Sequence, residues 1–286
     1  MAHVLPMPAS VAWRVLGTPF RGAERLHLAP SVPGYRVLRE LGTGRRSSAW
    51  LAQDGDGETL VLKLQPADGA QLHREWEFAA GCAGGHVVRV FDHGRDARWA
   101  WLAMEYLPGG DLAQRLRRPV ERAQALAWLA EAARGLAQLH RRDCVHRDVK
   151  PANFLLRADG ALVLADLGLV ARAGTVPAGA EGALTGTPRY VAPEQLQGGP
   201  ASPAADVYSL GVLLHEMLCG RPPFSGETLM EVLSQHLLAA PARLPAHAVD
   251  LQPLVDRMLA KEVQQRLPHA DAVLDLLSQG GSRDPE

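Results

Sequence analysis

The sequence predicts an α+β protein in two unequal lobes, the first rich in strands and the second mainly helical. Three observations carry that expectation. Short apolar stretches punctuated by turn residues fill the chain from Tyr35 to Glu105, with one amphipathic helical segment among them. A breaker cluster, Pro108-Gly109-Gly110, follows. Beyond it, apolar residues recur at helical spacing almost to the end of the chain.

Residues 1–33 contain Pro6, Pro8, Pro19, Pro30 and Pro33 with weak periodicity, and read as an irregular extension. Strands are expected over 35–41, 49–53, 59–64, 87–92 and 99–105. Asp54-Gly55-Asp56-Gly57 between the second and third is a hairpin signal, because Asp and Gly tolerate the positive φ that tight turns require. The segment from about 69 to 82 sets Leu72, Trp76 and Ala79 on one helix face. After the breaker, 120–141 places Leu126, Leu129, Ala133, Leu136 and Leu139 or His140 on one stripe. Further helices fit 204–219, 226–239, 250–260 and 269–278, with Gly220 and Gly280 as stops. The expected division is an extension over 1–33, a strand-rich lobe over 34–107, a helical lobe over 108–278 and a short tail over 279–286.

A net charge of −1 on 286 residues provides no global field to recruit nucleic acid or an anionic membrane, so neither is an expected partner. Cys82, Cys144 and Cys219 form no CxxC pair, which argues against a zinc site or disulfide framework and suits a reducing compartment. They read as small, buried apolar residues. No run reaches the roughly 18 apolar residues that span a bilayer, and no apolar leader opens the chain, so the expected address is cytoplasmic without membrane insertion.

Several segments concentrate polar chemistry. The densest is Val145-His146-Arg147-Asp148-Val149-Lys150-Pro151-Ala152-Asn153-Phe154-Leu155-Leu156. Ala165-Asp166-Leu167-Gly168 follows the apolar run Leu162-Val163-Leu164. Lys63 interrupts Leu60-Val61-Leu62-Lys63-Leu64, where a charge needs a partner to offset desolvation. A glycine-containing turn, Leu41-Gly42-Thr43-Gly44-Arg45-Arg46-Ser47-Ser48-Ala49, lies between two expected strands. Further on stand Ala103-Met104-Glu105-Tyr106-Leu107, Thr185-Gly186-Thr187-Pro188-Arg189-Tyr190-Val191-Ala192-Pro193-Glu194 and Ala205-Asp206-Val207-Tyr208-Ser209-Leu210-Gly211.

Taken together, from Tyr35 to about Leu277, these segments resemble the signature set of the eukaryotic-type serine/threonine protein kinases, most like the bacterial branch. The resemblance implies the bilobal protein-kinase fold, a β-rich N-lobe with its αC helix and a mainly helical C-lobe, with ATP and Mg²⁺ (or Mn²⁺) between them. It assigns catalysis to Asp148, which orients the attacking hydroxyl and receives its proton, and to Lys150, which offsets charge on the transferred phosphoryl group. Lys63 and the αC glutamate, Glu75, are expected to pair so that the ammonium meets the α- and β-phosphates, leaving Glu77 as an exposed helix charge. Asn153 and Asp166 are the expected metal ligands. Nucleotide contacts fall to Leu41, Gly42, Thr43, Gly44, Ser47, Ala49, Val61, Met104, Glu105, Leu107, Asp111 and Leu155, beside Lys63, Asn153 and Asp166. Asp111 also reads as a helix N-cap before Leu112.

The pattern departs from the family at Ser47, Ala49, Leu167 and Val263. Ser47 replaces the third glycine of the loop. Ala49 and Val61 exchange the family's valine and alanine, a volume-conserving swap. Glu194 is expected to pair with Arg266, and Asp206 to brace the catalytic loop. Arg147 would partner a phosphate on the loop before Glu194. Lys150 with Gly186-Thr187 implies serine/threonine acceptors in protein substrates, and self-association would permit autophosphorylation. Two rival readings are a pseudokinase scaffold that binds nucleotide without turnover and a small-molecule phosphotransferase. The first is weakened by the presence of Lys63, Asp148, Asn153 and Asp166, the second by the segment through Glu194 and by Asp206.

Overall fold

The structure, a computed structural model, describes residues 29–44, 47–68, 71–82, 84–176 and 188–280. The expected extension therefore lies, as far as residue 28, outside the described residues. So do Thr185, Gly186 and Thr187, and the tail from residue 281.

The first lobe runs β1 (Arg36–Thr43), β2 (Ser48–Gln53), β3 (Thr59–Pro66), α1 (Gln71–Ala80), β4 (Val90–Arg95) and β5 (Trp99–Glu105). Its strands form one antiparallel sheet in the order β1-β2-β3-β5-β4. The β2–β3 turn closes as its composition requires: the Asp54 carboxylate accepts the N–H groups of Asp56 (3.0 Å) and Glu58 (2.9 Å). Strand β3 is apolar on both faces because both are covered. Leu60, Leu62 and Leu64 join Trp50, Ala52, Trp101 and Ala103 on the outer side, while Val61 packs with Leu41 and Ala49 on the other. Lys63 shares the Val61 face by the two-residue strand period. Register places Lys63 opposite Ala49 on one neighbour and Leu102 on the other.

The fourth strand was expected over 87–92 but occupies Val90–Arg95. Val87 and Val88 are buried, as their apolar character requires, but they are used to tie the sheet to the other lobe. Val88 N–H donates to Leu164 O (2.8 Å), and Leu164 N–H donates to His86 O (2.9 Å). Helix α1 buries Leu72, Ala79 and, among them, Glu75; Trp76 is half-buried and stacks on His93, ring centroids 4.0 Å apart.

The second lobe continues with α2 (Leu112–Arg115), α3 (Arg122–His140), β6 (Cys144–Val145), β7 (Phe154–Leu156), β8 (Leu162–Leu164), β9 (Ala171–Arg172), α4 (Pro193–Leu196), α5 (Pro203–Cys219), α6 (Leu229–Leu238), α7 (Gln252–Met258) and α8 (Ala270–Gly280). Strand β6 pairs with β9, and β7 with β8. Helix α3 buries a wider face than the expected stripe: Trp128 and Ala132 are inside, whereas Leu126 is only half-buried. The helix packs against α5, α8 and β8 together, which demands more than one apolar row.

Helix α5 is apolar almost all round and is the centre of the main core, as such a helix must be. Ser202 caps its start by accepting Ala205 N–H, Pro203 opens it, and Gly220 at φ +67° closes it in the left-handed conformation. Its buried polar residues all have partners: Ser209 donates to Tyr190 O (2.6 Å), and the His215 ring lies between Arg221 O and Ala242 O. Helix α6 begins later than its expected start at 226, because Thr228 takes the cap position and accepts Glu231 N–H. A 3₁₀ turn over Ala246–Leu251 replaces the first residues expected in α7.

Cys144 is buried, but Cys82 and Cys219 are only half-buried, short of the expectation; all three are free thiols. Among the described residues, no helix is long and apolar enough to cross a membrane.

Candidate active site

The inner face of the sheet, the β7–β8 hairpin and the loop before β7 line an open cleft of about 680 Å³, counting its solvent-filled mouth. Lys63 enters it from β3. Its ammonium donates to both oxygens of Glu75 and to Asp166 Oδ1, each at 2.8 Å. Glu75 reaches it from the buried face of α1, and Glu77, two residues on, is exposed. Burial works against the charge on Lys63, but Asp166 and Glu75 override it and hold the ammonium above its ordinary range. Burial likewise opposes the Asp166 carboxylate, yet the Lys63 charge holds it at about 2. Glu75 shifts the other way: burial pushes it up, Lys63 pulls it back only in part, and Asp166 adds to the rise. Two carboxylates thus share one ammonium, and Asp166 keeps the firmer charge.

Asp166 sits at the end of β8 with φ +57° and Arg147 in the loop has φ +69°, a left-handed backbone that ordinary residues adopt at a cost of about 1–2 kcal/mol. That cost is sustained by what surrounds the loop. Asp206, at 1% exposure, accepts the N–H groups of His146 (2.7 Å) and Arg147 (2.8 Å). The fully buried His146 ring accepts Asp148 N–H (3.3 Å) at Nδ1, so its Nε2–H donates to Ala165 O (3.2 Å) beside Asp166.

Within the loop, Asp148 Oδ2 receives Lys150 Nζ (2.6 Å) and Asn153 Nδ2 (3.0 Å), and the same Asn153 amide donates to Asp148 O (2.8 Å). All three side chains are buried. A carboxylate, a cation and an amide are therefore fixed in one cluster, and Asn153 lines the cleft together with Lys63 and Asp166. Farther out, the Arg266 guanidinium grips Glu194 with two prongs (2.7 and 3.1 Å).

Of the nominated nucleotide contacts, Ser47, Ala49, Val61, Met104, Glu105 and Leu155 line the cleft with Lys63, Asn153 and Asp166. Ala49 and Val61 stand together on its sheet side, where their exchanged volumes fill one cluster with Leu41. Leu41, Gly42, Thr43, Gly44, Leu107 and Asp111 stand outside that lining. Leu107 packs behind it against Leu155 and Val163. Asp111 is the N-cap of α2, taking Gln114 N–H (2.8 Å) and the Gln114 amide (3.0 Å). Ser48, Ala152 and Ala165 also line the cleft and were missed, although each is adjacent in sequence to a nominated residue. His140 was missed too. Its Nδ1 accepts Ala270 N–H (3.1 Å), which leaves Nε2–H to donate to Asp206 (2.9 Å).

Comparison with known proteins agrees with this geometry. The family model described as protein kinase domain matches residues 35–276. A serine/threonine-protein kinase of Corynebacterium efficiens, drp72, is 34% identical, covering 89% of this chain and 52% of its own length. PknA of Corynebacterium glutamicum is 33% identical over 88% of this chain and 58% of itself. PknL of Mycobacterium tuberculosis is 38% identical over 68% of this chain and 49% of itself. The chain thus spans about half the length of these curated relatives. With the matched family model running through both lobes, Lys63, Asn153 and Asp166 gathered at one cleft and Asp148 hydrogen-bonded to that Asn153, the chain belongs to the protein kinase domain family.

Proposed function

We propose that the chain is an ATP-dependent protein kinase that transfers the γ-phosphate to serine or threonine hydroxyls of protein substrates. The observation that carries this reading is the single cleft in which Lys63, Asn153 and Asp166 converge, with Asp148 and Lys150 hydrogen-bonded beside them. Asp148 orients the acceptor hydroxyl and takes its proton as the oxygen attacks the γ-phosphorus, while the bond from that phosphorus to the β–γ bridging oxygen breaks and ADP leaves. Lys150 stabilises charge on the phosphoryl oxygens during transfer, and Lys63, fixed by Glu75, holds the α- and β-phosphates. Catalysis comes from positioning and electrostatics rather than from a covalent step on the protein.

The residues fit a hard divalent ion. Asn153 spends its Nδ2 on Asp148, leaving its amide oxygen as an acceptor, and Asp166 adds a carboxylate kept charged by Lys63. Two oxygen ligands plus phosphate oxygens are the usual complement for Mg²⁺, and Mn²⁺ accepts the same donors. When bound, the ion neutralises phosphate charge. Among the described residues no group of three His, Cys, Asp or Glu holds an ion without such help. The free thiols and the ATP requirement support a cytoplasmic setting for this domain. The presence of every proton-, phosphate- and metal-handling residue favours turnover over the scaffold reading.

The direct test is transfer of labelled γ-phosphate to a general protein acceptor, followed by phosphoamino-acid analysis. Label on phosphoserine or phosphothreonine is expected; label absent from protein, or on tyrosine alone, overturns the reading. The same incubation should phosphorylate the chain itself within residues 171–187. Thr175 and Thr185 are the leading acceptors. Thr175 is exposed, with its hydroxyl donating to Arg172 O (2.6 Å). Mass spectrometry of the purified chain after MgATP checks this, and an unmodified loop in an active enzyme would reject it.

Ser47 offers a smaller test. It lines the cleft where the family has a glycine, and its carbonyl accepts Gly44 N–H (2.7 Å). Ser47→Gly is expected to weaken ATP binding by about 1 kcal/mol, the scale of one net hydrogen bond. A titration at fixed Mg²⁺ gives the sign; tighter binding by the glycine variant would mean that the side chain merely limits loop closure.

A further inference from the structure

Arg157 lies directly after β7, in the turn of the β7–β8 hairpin and outside the cleft lining. Its guanidinium reaches out of the helical lobe. One nitrogen donates to Glu105 Oε2 (2.6 Å), and the other donates to Glu105 Oε1 (3.2 Å) and to Gly85 O (3.0 Å). Glu105 is the last residue of β5, and its Oε1 also accepts Arg89 N–H (2.8 Å). The backbone agrees with the side chains, because Gly109 N–H donates to Leu156 O and Leu156 N–H to Gly110 O (both 2.9 Å). Three separate segments therefore meet at one guanidinium: the strand leading into the interlobe connection, the turn before β4, and the hairpin that carries Leu155.

This pair differs from the molecule's other arginine–carboxylate contacts at the surface. The Glu105 side chain is 11% exposed, whereas Arg122 pairs with an Asp250 that is 58% exposed. Exposed pairs contribute little, while a largely buried carboxylate deprived of its cation loses a charge-assisted bond. Met104, Glu105 and Leu155, which stands two residues before Arg157, all line the cleft, and Met104 packs against the cluster that holds Leu155.

We infer that Arg157 is a positioning residue of the nucleotide cleft: by clamping Glu105, it fixes the spacing between Met104–Glu105 and Leu155. It acts through Glu105 and touches no reacting atom. The inference rests on the kinase reading above. A lysine cannot replace it fully, because one ammonium cannot present a planar fork to the carboxylate and a further donor to Gly85 O.

The test uses the full chain, with ATP as the probe, and measures the ATP Kd by titration and kcat and KM by phosphate transfer. Arg157→Met should raise both Kd and KM for ATP about tenfold while kcat changes by less than about twofold, the signature of lost ground-state binding. Arg157→Lys should fall between the two. Glu105→Gln combined with Arg157→Met should bind ATP no more weakly than Arg157→Met alone, because both changes break one contact. Arg122→Met, which breaks only the exposed pair, should leave the ATP Kd unchanged. Unchanged ATP affinity in Arg157→Met, or fully additive losses in the double variant, would overturn the inference. If Arg157→Met does not fold, Arg157→Lys and Glu105→Gln carry the same comparison, and wild-type affinity in both overturns it. A wild-type chain that binds no ATP sinks the kinase reading itself, whereas equal binding by wild type and Arg157→Met sinks only the role of Arg157.

Discussion

Asp148→Asn is expected to lower phosphoryl transfer by about 10²–10⁴-fold, the usual range for removal of a proton-accepting group. Nucleotide binding should change little, because Asp148 faces the acceptor hydroxyl in the proposed mechanism. The fold should also survive. The asparagine oxygen can still accept from Lys150, which donates to Asp148 at 2.6 Å in the native loop. Asp166→Asn makes the contrast, since it removes charge beside Lys63 and should weaken MgATP binding together with turnover. Steady-state kinetics with ATP titration separates the two variants. Equal turnover by wild type and Asp148→Asn would remove the catalytic assignment.

The second large effect is on stability. Asp206 lies at the first turn of α5 and holds three donors in a nearly dry environment: His146 N–H, Arg147 N–H and His140 Nε2–H. Asp206→Ala strands all three. A buried polar group left unpaired costs about 1–3 kcal/mol, so the summed loss should be about 3–5 kcal/mol after local relaxation. Arg147 would also lose support for its left-handed backbone. Urea denaturation followed by circular dichroism measures the change. A loss below about 1 kcal/mol would show that the bracing carboxylate is not limiting, because the loop keeps its conformation through other contacts.

Local chemistry was the most legible part of the sequence. Lys63 in an apolar strand announces a partner, and Glu75 lies on the same α1 face as Leu72 and Ala79. The Asp148, Lys150 and Asn153 cluster is local as well, closing within six residues. What stayed hidden depends on distant segments. The pattern of α3 allowed either Leu139 or His140 to face inward; both are buried, and His140 is needed there because Asp206 and Ala270 arrive from elsewhere in the chain. Val87 and Val88 read as strand because apolar character alone cannot say which neighbour will cover them. Asp111 carried two readings, and only the position of Gln114 relative to its carboxylate shows the cap. Arg157 gave no signal at all, since nothing local distinguishes it from a solvated turn residue.

Two backbone ties between the sheet and the helical lobe have a mechanical consequence. One is the run from Glu105 to Gly110, which meets the hairpin at Leu156; the other is His86–Val88 against Leu164. A body pinned at two points keeps one rotational degree of freedom, about the line through the pins. Both pins adjoin β4 and β5, at one side of the order β1-β2-β3-β5-β4, so any swing of the sheet grows in amplitude toward β1. Strand β1 travels the longest arc, and Lys63 on β3 a shorter one. Opening wide enough to exchange nucleotide is thus compatible with small excursions at the lysine, in the manner of a door whose latch edge moves far while its hinge side barely turns.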